Sequence, residues 1–165
     1  MSVIFESVRF GTVEVPDEEV IEFPDGLVGL GGLRYTLLDR NPGTGFLWLH
    51  CVDDAALALP VVSPFQFFAD FNLEVSEEDR RRIGLTDPAT ARLLVTVRAT
   101  PDPLDITANL RAPLVVHGGR GFQVINTIEG APLQAPLFVL AEPSDAGQAS
   151  ELVQRYILLV KVSEN

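Results

Sequence analysis

The fold class is decided by the N-terminal stretch Val3-Ile-Phe-Glu-Ser-Val-Arg-Phe-Gly-Thr-Val-Glu-Val15. Apolar and polar side chains alternate on both sides of Gly11, which is the period-two pattern of two strands joined by a tight turn. In the second strand Val13 and Val15 fall on one face and Glu14 falls on the other. We therefore predict an antiparallel hairpin with one apolar face.

The rest of the chain continues this rhythm, because 13 glycines and 12 prolines separate short apolar segments along its whole length. Such spacing is typical of strands joined by turns and favours a closed or nearly closed antiparallel sheet. Further strands are predicted at residues 20–23, 34–38, 46–52, 56–62, 92–99, 106–110, 114–117 and 122–125. The predicted fold is mainly β, a small antiparallel β-barrel-like domain with one or two short helices.

One helix start is marked by Ser76-Glu-Glu-Asp79, a capping box whose acidic residues also suit the positive end of the helix dipole. Arg80, Arg81 and Arg82 suit the last turn, and Gly84 is the expected stop. Near the C-terminus, residues 152–160 have helical spacing, but 156–162 also fit a strand. We predict one domain over residues 1–138, followed by an extension over 139–165 that contains a connector.

Charge limits the kinds of partner. The 165 residues carry 12 Lys+Arg and 23 Asp+Glu, a formal net charge of −11. Phosphate backbones would be repelled, so direct nucleic-acid binding is not expected. The sequence has neither the pattern of a signal peptide nor an apolar run long enough for a membrane span. We expect a cytoplasmic protein that is monomeric on its own and does not bind membranes.

The residues offer little for catalysis or cofactors. His50, His117 and the single cysteine, Cys51, lack the spacing of metal ligands. His50 and Cys51 are neighbours on a predicted strand and point to opposite faces, and Cys51 is expected to be buried and reduced. We predict no metal, no cofactor, no catalytic residue and no enzymatic activity. The alternative is a small-ligand-binding or enzymatic barrel that uses carboxylates at its mouth, and it requires a concave pocket with inward acids.

Acidic residues concentrate near the N-terminus, where Arg9 is the one base in the first thirty residues. This asymmetry predicts a surface for a basic protein partner. We assign the electrostatic face to Glu14, Asp17, Glu18, Glu19 and Glu22.

An aromatic segment, Pro64-Phe-Gln-Phe-Phe-Ala-Asp-Phe71, is the most unusual part of the sequence. Its rings could fill the core at one end of the barrel, or they could form a partly exposed patch where another chain docks. We assign a candidate apolar docking site to Phe65, Phe67 and Phe68.

A set of motifs in a fixed order resembles the flagellar assembly factor FliW family. The motifs are Phe23-Pro-Asp-Gly-Leu-Val-Gly29, Tyr35-Thr-Leu-Leu-Asp39, Val62-Ser-Pro-Phe-Gln-Phe-Phe68, Thr107-Ala-Asn-Leu-Arg-Ala-Pro113 with Leu114-Val-Val116, and Ala135-Pro-Leu-Phe138. This resemblance implies a small β-barrel-like protein that binds other proteins rather than catalysing a reaction. It implies two partners, the RNA-binding repressor CsrA, which silences flagellin mRNA, and flagellin itself. A structural subunit assembled through the C-terminal segment is a third hypothesis.

Overall fold

A computed structural model describes residues 1–84, 90–102 and 105–137 of the chain. The strands are β1 (Ser2–Ser7), β2 (Gly11–Pro16), β3 (Val20–Glu22), β4 (Arg34–Leu38), β5 (Leu47–Cys51), β6 (Ala58–Val62), β7 (Arg92–Arg98), β8 (Thr107–Ala108), β9 (Leu114–His117), β10 (Arg120–Gln123) and β11 (Ala135–Pro136). The helices are α1 (Pro64–Phe67) and α2 (Glu77–Ile83), with a short 3-10 helix at Asp17–Glu19.

Seven strands close into a barrel. The order runs β3, β4, β5, β6, β7, β9 and β10, and β10 returns to β3. The first half of β7 pairs with β9, while its second half pairs with β8, which in turn pairs with β11. The mainly β, barrel-like prediction is confirmed. One detail differs, because β3 and β10 run parallel, and parallel neighbours require a long crossover connection between them.

Large side chains fill the barrel interior. This buried cluster consists of Ile21, Phe23, Leu27, Tyr35, Leu49, Cys51, Val61, Leu94 and Leu114. The rings of Phe23 and Tyr35 meet edge to face with centroids 5.4 Å apart. Burial raises the pKa of Tyr35 to about 12, and its hydroxyl donates to the Gly31 carbonyl. A Cβ atom on Gly121 of β10 would overlap the Phe23 ring, so the packing requires glycine there.

The predicted N-terminal hairpin is confirmed and lies outside the barrel. β1 and β2 form their own two-stranded sheet, in which Phe5 pairs with Val13. These two side chains and Val15 are buried together with core residues of the barrel wall, Trp48 among them. The first strand ends at Ser7 rather than at residue 10, because the Ser7 hydroxyl accepts hydrogen bonds from two amides of the following turn.

Helix α2 begins and ends as the sequence predicts. The Ser76 hydroxyl accepts from the Asp79 amide at 3.1 Å, and Gly84 adopts a left-handed conformation with φ of 67°. The last turn is anchored by Arg82, whose guanidinium contacts Asp79 and Asp25. The predicted C-terminal helix or strand lies outside the described residues.

Several predicted strands have different boundaries in the structure, and β8 and β10 are two of them. β10 spans Arg120–Gln123 rather than 122–125, because Gly118 and Gly119, both with positive φ, complete the turn by themselves. Arg120 therefore pairs with His117 instead of belonging to the loop. β8 is reduced from the predicted 106–110 to two residues, which pair with the end of β7 on one side and with β11 on the other.

Candidate functional site

The exposed face of the hairpin carries acidic side chains next to one apolar side chain. Glu14 of β2 lies opposite Ile4 of β1, whose side chain is 64% exposed. The Ser2 hydroxyl donates to Glu14 Oε1 at 2.7 Å, and the Thr12 hydroxyl donates to Glu6 Oε1 at 2.6 Å. These contacts hold the carboxylates on the solvent side of the sheet, away from its buried apolar face.

The predicted electrostatic face divides into two parts. Asp17, Glu18 and Glu19 form the 3-10 helix that directly follows β2, so these exposed acids continue the charge that begins at Glu14. Glu22 is different, because it lies opposite Arg34 on β4 and Arg120 on β10.

Those two arginines are the cross-strand neighbours of Glu22 on its two sides. Arg34 also donates from Nε to Asp53 Oδ2 at 3.0 Å, and this hydrogen bond lowers the pKa of Asp53. Glu14, Asp17, Glu18 and Glu19 thus lie close together along the chain, whereas the strand neighbours of Glu22 are arginines.

The aromatic segment both contributes to the core and stays exposed. Phe67 and Phe68 are half-buried and pack against the cluster beneath the hairpin, and the Phe67 ring lies 5.6 Å from that of Phe46. Phe65 is 56% exposed, and its ring meets Phe71 edge to face at 5.4 Å. Of the three predicted docking residues, Phe65 is the most exposed to solvent.

A surface groove opens beside Phe71. Its volume is about 470 Å³, and it lies between residues 70–74, which follow α1, and residues 126–132, which follow β10. The lining consists of Asp70, Phe71, Asn72, Glu74, Leu110, Asn126, Ile128, Glu129, Gly130, Ala131 and Pro132. All three charged side chains in this lining are carboxylates.

Asn126 holds the two sides of the groove together. It is 5% exposed, and its Oδ1 accepts from the amides of Glu74 and Ile128. Its Nδ2 donates to the carbonyls of Asn72 and Leu110. A buried amide side chain with partners for both its oxygen and its nitrogen fixes the loops that it joins.

A second buried polar contact joins the hairpin to the barrel. His50 of β5 is fully buried, with Nε2 at 2.8 Å from the Ser7 hydroxyl and Nδ1 at 2.7 Å from the Cys51 carbonyl. A carbonyl only accepts, so Nδ1 carries the proton and Nε2 accepts from Ser7. Burial lowers the pKa of His50, and the nearby Arg9 lowers it further. Cys51 points the other way, into the barrel, and is buried as predicted.

Among the residues that the structure describes, no three His, Cys, Asp or Glu side chains converge into a group that could hold a metal ion. None of the helices in the described part of the chain is long and apolar enough to cross a membrane.

Comparison with known proteins assigns the chain to a family. The family model described as FliW protein matches residues 4–137, which is most of the sequence. The chain belongs to the FliW family.

Individual relatives agree with this assignment. The flagellar assembly factor FliW of Alkaliphilus metalliredigens is 34% identical over 116 residues, covering 69% of this chain and 72% of the relative. The FliW of Azoarcus sp. is 38% identical over 133 residues, covering 74% of this chain and 91% of the relative. A crystal structure of a flagellar assembly factor FliW matches with a TM-score of 0.76 at 24% identity, covering 84% of this chain and 99% of that chain.

The FliW resemblance seen in the sequence motifs is therefore confirmed, and so is the barrel fold. The assignments of individual docking residues stay predictions. The sequence alone does not indicate the groove, because its two sides are more than fifty residues apart in the chain. An asparagine after a predicted strand was the one local signal, and on its own it indicates a turn.

Proposed function

We propose that this FliW family member acts in the cytoplasm by binding proteins. It binds a CsrA-type translational repressor, which relieves repression of flagellin synthesis, and it binds flagellin during flagellum assembly. The observation that carries the proposal is a barrel filled with apolar side chains whose acidic residues lie outside. A filled interior supports a surface that recognises proteins over the alternative of a ligand-binding or catalytic barrel mouth, because the acid-lined groove is formed by residues outside the barrel strands.

Charge supports the first partner. An RNA-binding repressor presents a basic surface, and a protein of net charge −11 attracts such a surface over long range. Glu14, Asp17, Glu18 and Glu19 are exposed at one end of the hairpin and provide the local negative charge. Glu22 contributes less to this attraction, because Arg34 and Arg120 lie beside it.

An exposed ring supports the second partner. Flagellin offers apolar helical termini, and Phe65 presents an aromatic side chain that another chain could cover. Phe67 and Phe68 are half-buried against the core, so Phe65 provides most of the proposed contact.

Calorimetric titration of the protein with the CsrA-type repressor and the flagellin of the same organism tests the proposal. Saturable binding to both partners is expected, with affinity for the repressor falling as salt rises. Binding to neither folded partner would contradict the proposed function.

A charge-reversal pair then tests the face. Glu18→Lys with Glu19→Lys should slow association with the repressor at low salt by roughly tenfold, because electrostatic steering raises on-rates by that order or more. The control reverses two exposed acids elsewhere, Asp39→Lys with Asp105→Lys, and changes the net charge equally. Equal slowing by both pairs would remove the hairpin face from the proposal. Phe65→Ser should weaken flagellin binding and leave repressor binding unchanged.

A further inference from the structure

The groove between residues 70–74 and 126–132 combines an apolar floor with a negative lining. Phe71, Leu110 and Ile128 supply hydrocarbon surface, while the charged groups are Asp70, Glu74 and Glu129. Its volume of about 470 Å³ lies within the range of about 300–1,000 Å³ that small-ligand sites occupy. A ligand complementary to this lining needs a long apolar body and a cationic end.

The groove is also held in shape before any ligand arrives. Besides the bonds made by Asn126, the Thr127 amide donates to the Glu74 carbonyl at 2.8 Å, and the Leu110 amide donates to the Pro132 carbonyl at 3.0 Å. Arg111 Nε donates to the Ala131 carbonyl at 3.1 Å. Because backbone on both sides is tied to neighbouring segments, binding does not have to order these loops.

The rim continues into an exposed aromatic surface. Phe71 lines the groove, and the exposed Phe65 ring packs edge to face against it. A peptide seated in the groove could therefore cover Phe65 with a neighbouring residue. This continuity favours an extended peptide segment over a free small cation.

We propose that this groove binds an extended peptide segment by taking in one arginine side chain. The methylene groups of the arginine lie on Phe71, Leu110 and Ile128, and its guanidinium faces the carboxylates. Arginine fits better than lysine, because its planar group can stack on an aromatic ring and bind a carboxylate through two parallel hydrogen bonds. The site is distinct from the acidic face of the hairpin, and it does not depend on the identity of the partners proposed above.

The test uses a blocked tripeptide with arginine between two leucines, titrated into the full 15N-labelled protein. Saturable shifts are expected for amides of residues 70–74 and 126–131, and they should weaken as salt rises. The same peptide with a central glutamine keeps the apolar flanks and removes the charge, so it should bind at least several-fold more weakly. Equal binding of both peptides, shifts that map to the hairpin instead, or no saturable shift would each overturn the proposal.

Two variants locate the contact. Glu74→Gln and Glu129→Gln should each weaken binding of the arginine peptide by about 2- to 5-fold, the range measured for partly exposed ion pairs. Glu77→Gln is the matched control, because it removes an exposed carboxylate from α2 outside the groove lining. The spectrum of each free variant shows whether it is folded. A control that weakens binding as much as the groove variants would mean that general charge, and not this site, attracts the peptide.

Discussion

Replacing Ser7 with alanine should loosen the hairpin from the barrel. The Ser7 hydroxyl satisfies three groups at once, donating to His50 Nε2 at 2.8 Å and accepting from the amides of Arg9 and Phe10 at 3.1 Å. Ser7→Ala leaves the fully buried Nε2 without its donor, and a buried polar group that loses its partner costs about 1–3 kcal/mol. We expect the free energy of unfolding to fall by about 2 kcal/mol and Tm to fall by about 4–8 °C.

Denaturant unfolding followed by tryptophan fluorescence measures this change. The single tryptophan, Trp48, is 3% exposed and lies 5.8 Å from the Phe10 ring, so it reports directly on the hairpin contact. The matched control is Ser2→Ala on the same strand, where the hydroxyl is exposed and bonds only to the Glu14 carboxylate among the contacts described. This control should change stability by less than about 0.5 kcal/mol.

The same contact makes stability depend on pH. Because burial lowers the pKa of His50 below its ordinary 6.5, the unfolded chain binds a proton at this site more readily than the folded protein does. Stability should therefore fall as pH drops below about 6.5, until the folded-state pKa is reached. His50→Gln removes this contribution, so the difference in stability between wild type and His50→Gln should shrink over that interval.

Two outcomes would refute this reasoning. If Ser7→Ala were no more destabilising than Ser2→Ala, the buried hydrogen bond would not hold the hairpin. If wild type and His50→Gln lost stability in parallel below pH 6.5, the pH dependence would come from other groups.

Two other substitutions test the packing and the helix cap. Gly121→Ala would drive a methyl group into the Phe23 ring and should cost about 1–3 kcal/mol, whereas Gly31→Ala, where a Cβ meets no atom within 4 Å, should be nearly neutral in the same thermal unfolding assay. Similar melting temperatures for the two glycine variants would show that the barrel interior is looser than described. Ser76→Ala removes the cap of α2 and should lower the free energy of unfolding by about 1 kcal/mol, with a matching loss of helical circular dichroism. An unchanged free energy of unfolding and an unchanged spectrum would show that the cap does not stabilise the protein.

Local patterns in the sequence were sufficient to predict most elements. β4 and β9 have the predicted boundaries, because each is a short apolar run between residues that favour turns. The bounds of α2 were also predicted correctly, because the capping residue Ser76 and the terminating residue Gly84 act on the backbone within a few residues of themselves.

Features that depend on distant residues could not be predicted. In the sequence, Gly121 belongs to a glycine-rich segment that predicts a loop, yet in the structure it lies in β10. Glycine is required at this position because the Phe23 ring occupies the space that a side chain would need. The groove likewise depends on hydrogen bonds between Asn126 and residues 72–74, and no spacing pattern in the sequence predicts these bonds. The acidic residues of the N-terminus were found by counting charge, but the basic neighbours of Glu22 become visible only through strand pairing.

The pairing of β3 with β10 also sets the order in which the molecule can be assembled during synthesis. Strands β3 to β7 pair in the order in which they leave the ribosome, but both outer strands of that sheet, β3 and β7, await partners encoded later. β7 meets β9, and β3 meets β10, only once residues 114–123 have been made. Until then the nascent chain is an open sheet with unpaired edges, the form of a β protein that associates most readily with other chains. Closure of the barrel is therefore a late step of folding. Strands β9 and β10, which complete it, cover the strand edges of the earlier sheet that would otherwise pair with other chains.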